Sequence, residues 1–225
     1  MTGGVEDRYD VVVPTLGRPS LHRLLDALAG QRRSLPGQVL LVDDRPDPSS
    51  PLLPGGAPRE LDVTVVAGRA AGPAAARNAG WRSSSAPWVA FLDDDVVPGP
   101  EWSTDLLADL RACADDVAGV QGRLRVPLPA DRRPTDWERN VAGLEAAAWA
   151  TADMAYRRPA LARLGGFDER FPRAYREDAD LALRAMNAGY RLQRGRRQVE
   201  HPVLPAPWHV SVAKQAGNAD DALMD

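Results

Sequence analysis

The stretch Trp88–Pro98, WVAFLDDDVVP, constrains this chain more than any other. Trp88–Leu92 is a short apolar run set between Pro87 and three carboxylates, Asp93, Asp94 and Asp95. Such a run reads as a buried strand that delivers polar residues to a sheet edge. In open α/β sheets, ligands bind at the carboxyl ends of strands. Adjacent carboxylates repel one another, so gathering three is costly unless a cation shares the site. Oxygen ligands suit Mg2+ or Mn2+, and Mg2+ is commonly held by one or two carboxylates plus substrate phosphates. Taken alone, the stretch fits an acidic turn capping a helix from Glu101 equally well.

The rest of the chain supplies the context. Tyr9–Val13 is a β-branched run stopped by Pro14, and reads as a first strand. A helix follows from Pro19-Ser20, with Leu21, Leu24, Leu25 and Leu28 at helical spacing and Gly30 at its end. Val39–Val42 is a second strand running into Asp43-Asp44, and a Pro-, Gly- and Ser-rich loop comes next. Leu61–Ala67 is a third strand, and Gly72-Pro73 opens a helix, AAARNAGWRSS. Strands alternating with helices on short apolar runs predict a mostly parallel sheet flanked by helices. Three strands then end in polar or acidic residues on one side, at Pro14-Thr15, Asp43-Asp44 and Asp93–Asp95, and that convergence favours the metal site. In the second half the pattern predicts helices over Glu101–Cys113, Trp137–Ala148, Pro159–Leu164 and Glu177–Ala188. It places strands at Val117–Val126, with Gly119 and Gly122 as bends, at Ala152–Tyr156 and within Tyr190–Val199.

Composition narrows the function. At 225 residues and a net charge of −3, the chain is long enough for one sizeable core and a poor candidate for nucleic-acid binding. Lys214 is the only lysine, which argues against chemistry that needs a buried catalytic lysine. The single cysteine, Cys113, excludes an intrachain disulfide and fits a reducing compartment. The N-terminus lacks the basic and apolar regions of a signal peptide, and no segment approaches a membrane span, so the expectation is a cytoplasmic protein without an integral membrane segment. The final GNADDALMD begins a helical pattern and stops abruptly, as if relatives continued further.

The order VVVPTLGRP, LLVDD, GPAAARNAG, FLDDDVVP, MAYRRPALARLGGFDERF, REDADLALR resembles the GT-A glycosyltransferases of family 2, over roughly Tyr9 to His201. Each motif is weak alone; six in this order are specific. The resemblance implies a Rossmann-like α/β GT-A domain over 1–225. Its nucleotide-binding half would span about 8–98 and a mixed acceptor-side half about 99–210, with a tail at 211–225. It implies an inverting, metal-dependent transferase moving a sugar from a UDP-, GDP- or dTDP-sugar to an acceptor hydroxyl. Pro14, Thr15 and Arg18 would contact nucleotide, and Asp43 or Asp44 would accept from base or ribose, although Arg45-Pro46 follows where the family often has Gly and Ser. Arg77 and Asn78 would reach nucleotide or diphosphate, with Arg69 as a second phosphate contact. The alternative is that Arg77 pairs with a carboxylate such as Asp43 or Asp93 to hold the sheet edge together, and both can be true at once. Asp95 would ligate Mn2+ or Mg2+ with Asp93 beside it, and Asp94 would touch the donor sugar. His201 would complete the metal site, with His209 as competitor. Asp178 would be the general base and Glu177 its neighbour or substitute. Asp153, Gly166, Phe167 and Trp208 would shape the acceptor or sugar side, while Asp180 and Arg184 read as a structural i,i+4 pair.

Three other classes compete. A haloacid-dehalogenase-like phosphatase also uses an acidic signature, but near its first strand and with a later lysine. A nucleotidyltransferase needs a Gly-rich, basic loop where this chain has PTLGRPS. A binding protein that kept the fold and lost turnover would have little reason to keep the acids.

Overall fold

Strand β1 (Tyr9–Thr15) is the axis of the molecule, whose computed structural model describes residues 8–174 and 176–204. It is buried along its length because parallel neighbours flank it: β2 (Val39–Asp43) on one side and β4 (Trp88–Leu92) on the other. Beyond β2 lies β3 (Val63–Ala67). The order β3-β2-β1-β4 puts the reversal of winding between β1 and β4, where α/β sheets open a crevice.

Helix α1 (Ser20–Ala29) buries Leu21, Leu24, Leu25 and Leu28 on one stripe and ends at Gly30. Helix α2 (Pro73–Ser83) begins after Gly72 at φ 92° and packs against β1 and β2 through small residues. A Cβ on Gly80 would lie 2.3 Å from Val12 Cγ1 and 3.0 Å from Val42 Cγ2. Valine is stiff at χ1 and cannot turn the methyl aside freely. Gly80→Ala is therefore expected to lower stability. Overpacking costs about 1–3 kcal/mol, against about 1 kcal/mol gained from helix propensity. A lower urea midpoint at unchanged slope would show it.

The second half is mixed, as expected for the acceptor side. It comprises β5 (Val97–Pro98), α3 (Trp102–Arg111), β6 (Val117–Arg125), α4 (Asp136–Ala142), β7 (Asp153–Arg157), α5 (Arg158–Leu164), α6 (Glu177–Asn187) and β8 (Arg191–Glu200). β7 inserts antiparallel between β4 and β6, β8 runs parallel to β6, and β5 pairs antiparallel with β8. Two details differ from the sequence reading. The helix expected over Trp137–Ala148 stops at Ala142 and tightens into a 3-10 turn, Gly143–Ala146. Gln121 is the reason: its amide nitrogen donates to Ala147 O at 3.0 Å and its oxygen accepts from the Trp149 N–H at 2.6 Å. The bends expected at Gly119 and Gly122 are register shifts within one strand.

Asp153 is corrected here from a sugar contact to a core residue. It and Arg197 are both 0% exposed. Arg197 Nε donates to Asp153 Oδ1 at 2.8 Å, and Trp102 Nε1 donates to Oδ2 at 3.0 Å. Gly122 makes the room, since a Cβ there would lie 2.0 Å from Asp153 Oδ2. No helix among the described residues is long and apolar enough to cross a membrane.

Candidate active site

The acid triplet sits on a turn. β4 ends at Leu92, and Val96 N–H closes on Asp93 O at 3.4 Å, so strand geometry does not carry through to Asp95. The turn sorts the carboxylates. Asp94 is folded inward, accepting from Thr15 Oγ1 at 2.6 Å and Arg18 Nη1 at 3.3 Å. Burial pushes its carboxyl up, opposed by Thr15. Asp95 Oδ2 also lies 3.5 Å from Arg18 Nη1, while Asp93 pairs with Arg77. The β5–β8 pair, Val97 against Glu200, then brings His201 back to the same place. His201 Nε2 lies 3.5 Å from Asp95 Oδ1. One ligand atom each from Asp93, Asp95 and His201 fall within 4.8 Å of one another.

Burial raises the Asp95 carboxyl above its ordinary range and Asp93 adds to it, with His201 opposing. Crowded carboxylates beside the imidazole Nε2 of His201 form an oxygen and nitrogen donor set that fits a divalent cation. Trp208 and His209 lie outside the described residues.

Arg77 ties this turn to α6. It is 3% exposed, and Nη1 donates to Glu177 Oε1 at 2.7 Å while Nη2 donates to Asp93 Oδ1 at 3.0 Å. Of the alternatives open for Arg77, the structure places it on Asp93 and adds Glu177. Glu177 is buried at the helix start, and Asp178 beside it is half-buried and lines the cleft. Asp178 accepts from the Ala179 N–H at 2.8 Å. Burial raises both carboxyls, and Arg77 opposes the rise in each.

The first loop faces the cleft through Pro14, Thr15 and Arg18. Asp43 is gripped by Arg45, Nε to Oδ1 and Nη2 to Oδ2, both at 2.7 Å. That grip holds its carboxyl below the usual range. Asp44 accepts from the backbone N–H groups of Arg69, Ala71 and Gly72 at 3.0–3.3 Å, and so fixes the approach to α2. Arg69 itself pairs with Glu169.

Three further expectations are corrected. Asn78, Gly166 and Phe167 stand behind the cleft. Asn78 is 1% exposed and clasps the GGFDE loop, donating to Phe167 O and Glu169 and accepting from the Phe167 N–H and Trp81 Nε1. Gly166, at φ 78°, gives Asn78 that approach: a Cβ would lie 2.3 Å from its Oδ1. Phe167 stacks edge-on against Phe91 in the core. Arg184, paired with Asp180 as expected, donates to Leu164 O and Gly166 O and secures the same loop.

Above the acids opens a cleft of about 1250 Å³. Asp93, Asp95, His201 and Asp178 line it, and so do Trp137, Trp149, Leu183 and Met186. The sequence reading missed the latter four. Leu183 and Met186 are visible in retrospect, since they lie off the buried stripe of Leu181, Ala182 and Ala185.

A twisted α/β sheet with an acidic turn at its switch point and a second carboxylate pair across the cleft defines a GT-A protein. The chain belongs to glycosyl transferase family 2, whose model matches residues 10–180. It is similar to the pre-mycofactocin glycosyltransferase of Mycobacterium tuberculosis, 32% identical over 200 residues. That match covers 81% of this chain and 40% of the relative, so the chain spans about two fifths of the length of the curated relatives it matches. Among solved structures it resembles S. aureus TarS 1–349 in complex with UDP, at TM-score 0.64 and 18% identity over 88% of this chain and 61% of that one. The same protein in complex with UDP-GlcNAc gives TM-score 0.64 and 17% identity over 91% and 61%. At these identities the likeness establishes the fold.

Proposed function

We propose that this domain transfers a glycosyl group from a nucleoside-diphosphate sugar, with UDP as the nucleotide, to an acceptor hydroxyl with inversion at the anomeric carbon. One observation carries the reading: Asp93, Asp95, His201 and the half-buried Asp178 all line one cleft at the sheet's switch point. Family membership supports the reaction class, and the UDP complexes of TarS support the choice of nucleotide. Asp93, Asp95 and His201 would hold Mn2+ or Mg2+. When bound, the cation neutralises charge on the departing diphosphate. Thr15 and Arg18 hold Asp94 in place and thereby orient the turn. Arg77 holds Glu177 and Asp93, fixing the distance between the acid turn and α6. Asp178 takes the proton from the acceptor hydroxyl, whose oxygen attacks opposite the leaving group. Residues from about 8 to 98 would serve the donor and those from about 99 to 210 the acceptor.

Calorimetry tests the donor half. UDP is expected to bind, more tightly with Mn2+ than after treatment with EDTA, and more tightly than GDP or dTDP. No UDP binding in the presence of Mn2+ overturns the assignment.

A further inference from the structure

Two features of the cleft are unused by the reaction just described. Among the described residues, six large apolar side chains are exposed, and three of them, Leu16, Leu183 and Met186, rim this cleft. Leu183 and Met186 continue from Ala179 at i+4 and i+7, so α6 presents an apolar stripe to the cleft on the same helix that carries Asp178. Scattered exposed leucines need no explanation, but a cluster at the mouth of a cleft marks a binding surface. The second feature is Trp149. It sits at φ 67°, a backbone region that costs energy for a bulky residue. Gln121, 2% exposed, clamps the chain on both sides of it, and Arg194 adds a hydrogen bond to Ala147 O. The surrounding fold thus holds a tryptophan in a strained position where it lines the cleft. Trp137 lines it as well, fixed by its Nε1 donating to Leu204 O at 3.1 Å, and Val141 and Leu144 fill the same wall.

Resting on the glycosyltransferase reading, we propose that the acceptor hydroxyl is carried on an apolar, ring- or chain-bearing aglycone. This aglycone lies between the Trp137–Trp149 wall and the Leu183–Met186 stripe, and Trp149 selects it. Beside the polar lining of Thr151, Arg173 and Arg176, the side chains of Trp137, Trp149, Leu183 and Met186 offer a large apolar surface, which packs against flat or extended apolar bodies. Gln121 is the positioning residue for Trp149.

The test uses probes with the same hydroxyls and different aglycones: methyl, octyl and 4-nitrophenyl β-glucoside, titrated by calorimetry into the full chain with and without UDP and Mn2+. The octyl and 4-nitrophenyl probes are expected to bind at least about tenfold tighter than the methyl probe. Trp149→Ala should remove most of that preference, and Leu183→Ser, on an exposed helix position, should weaken it independently if the first variant folds poorly. UDP is titrated into every variant in parallel. Equal binding of the three glucosides, or a preference that survives both substitutions, overturns the proposal. Loss of UDP binding with the aglycone preference intact would instead sink the donor-site reading.

Discussion

Asp178→Asn is expected to lower turnover by about 10²–10⁴-fold, the usual contribution of a positioned base, while UDP still binds in the presence of Mn2+. Asparagine keeps the shape and can still accept from the Ala179 N–H, so the helix start should not unravel. What it loses is the capacity to take a proton. Of the other two carboxylates in this first turn, Asp180 is paired with Arg184, and Glu177 has worse geometry: Arg77 holds one oxygen at 2.7 Å and the side chain is buried. Burial raises both the Glu177 and the Asp178 carboxyls, so the pH profile of the asparagine variant is what separates the two. Burial raises the Asp178 carboxyl, and a base works only when ionised. Turnover should therefore rise with pH through a value above the ordinary carboxylate range and then level off. The asparagine variant should lack that limb. Wild-type turnover in the variant would move the base to Glu177, and loss of UDP binding would move Asp178 to the donor side.

The first four strands were legible because their signals are local. WVAFL is one apolar run between a proline and acids, and it forms the strand over those same residues. The convergence of three strand ends followed from parallel packing alone, and the register pairs Thr15 with Asp43 as that requires. His201 was placed by resemblance, and its route is a two-residue strand, Val97–Pro98, that no periodicity could reveal. The reading failed, in both halves of the chain, where long-range contacts decide. Asp153 reads the same in sequence whether it meets a sugar or Arg197, which is 44 residues away. Asn78 has the composition of a ligand contact, and its amide is fully engaged by a loop 89 residues on. The strained backbone at Trp149 depends on Gln121, 28 residues away on strand β6, so nothing near position 149 announces it. Arg45 was the exception. Its departure from the family pattern was visible, and the structure gives the reason in its grip on Asp43.

Arg197→Met should be among the most destabilising single substitutions in the described chain, at about 3–5 kcal/mol, because it leaves the Asp153 carboxylate buried without its cation. A domain of this kind is stable by only about 5–15 kcal/mol, so the loss is a large share of the total. Burial already pushes the Asp153 carboxyl up and Arg197 pulls it down. Without the arginine the group would escape by taking up a proton, which limits the cost. Arg197 also donates to Val120 O at 2.7 Å and pairs with Asp109 at 3.3 Å, so β6 and α3 loosen together. Replacing both members, as Arg197→Met with Asp153→Leu, should recover part of the loss, since an apolar pair carries no desolvation penalty. Recovery stays incomplete because Trp102 Nε1 loses its acceptor. Urea unfolding of both single variants and the double variant measures the coupling. UDP titrated into the Arg197→Met variant under folding conditions should bind as in the wild type, because Asp153 does not line the cleft. A stable Arg197→Met protein with defective sugar transfer would return Asp153 to the acceptor site and refute the structural role.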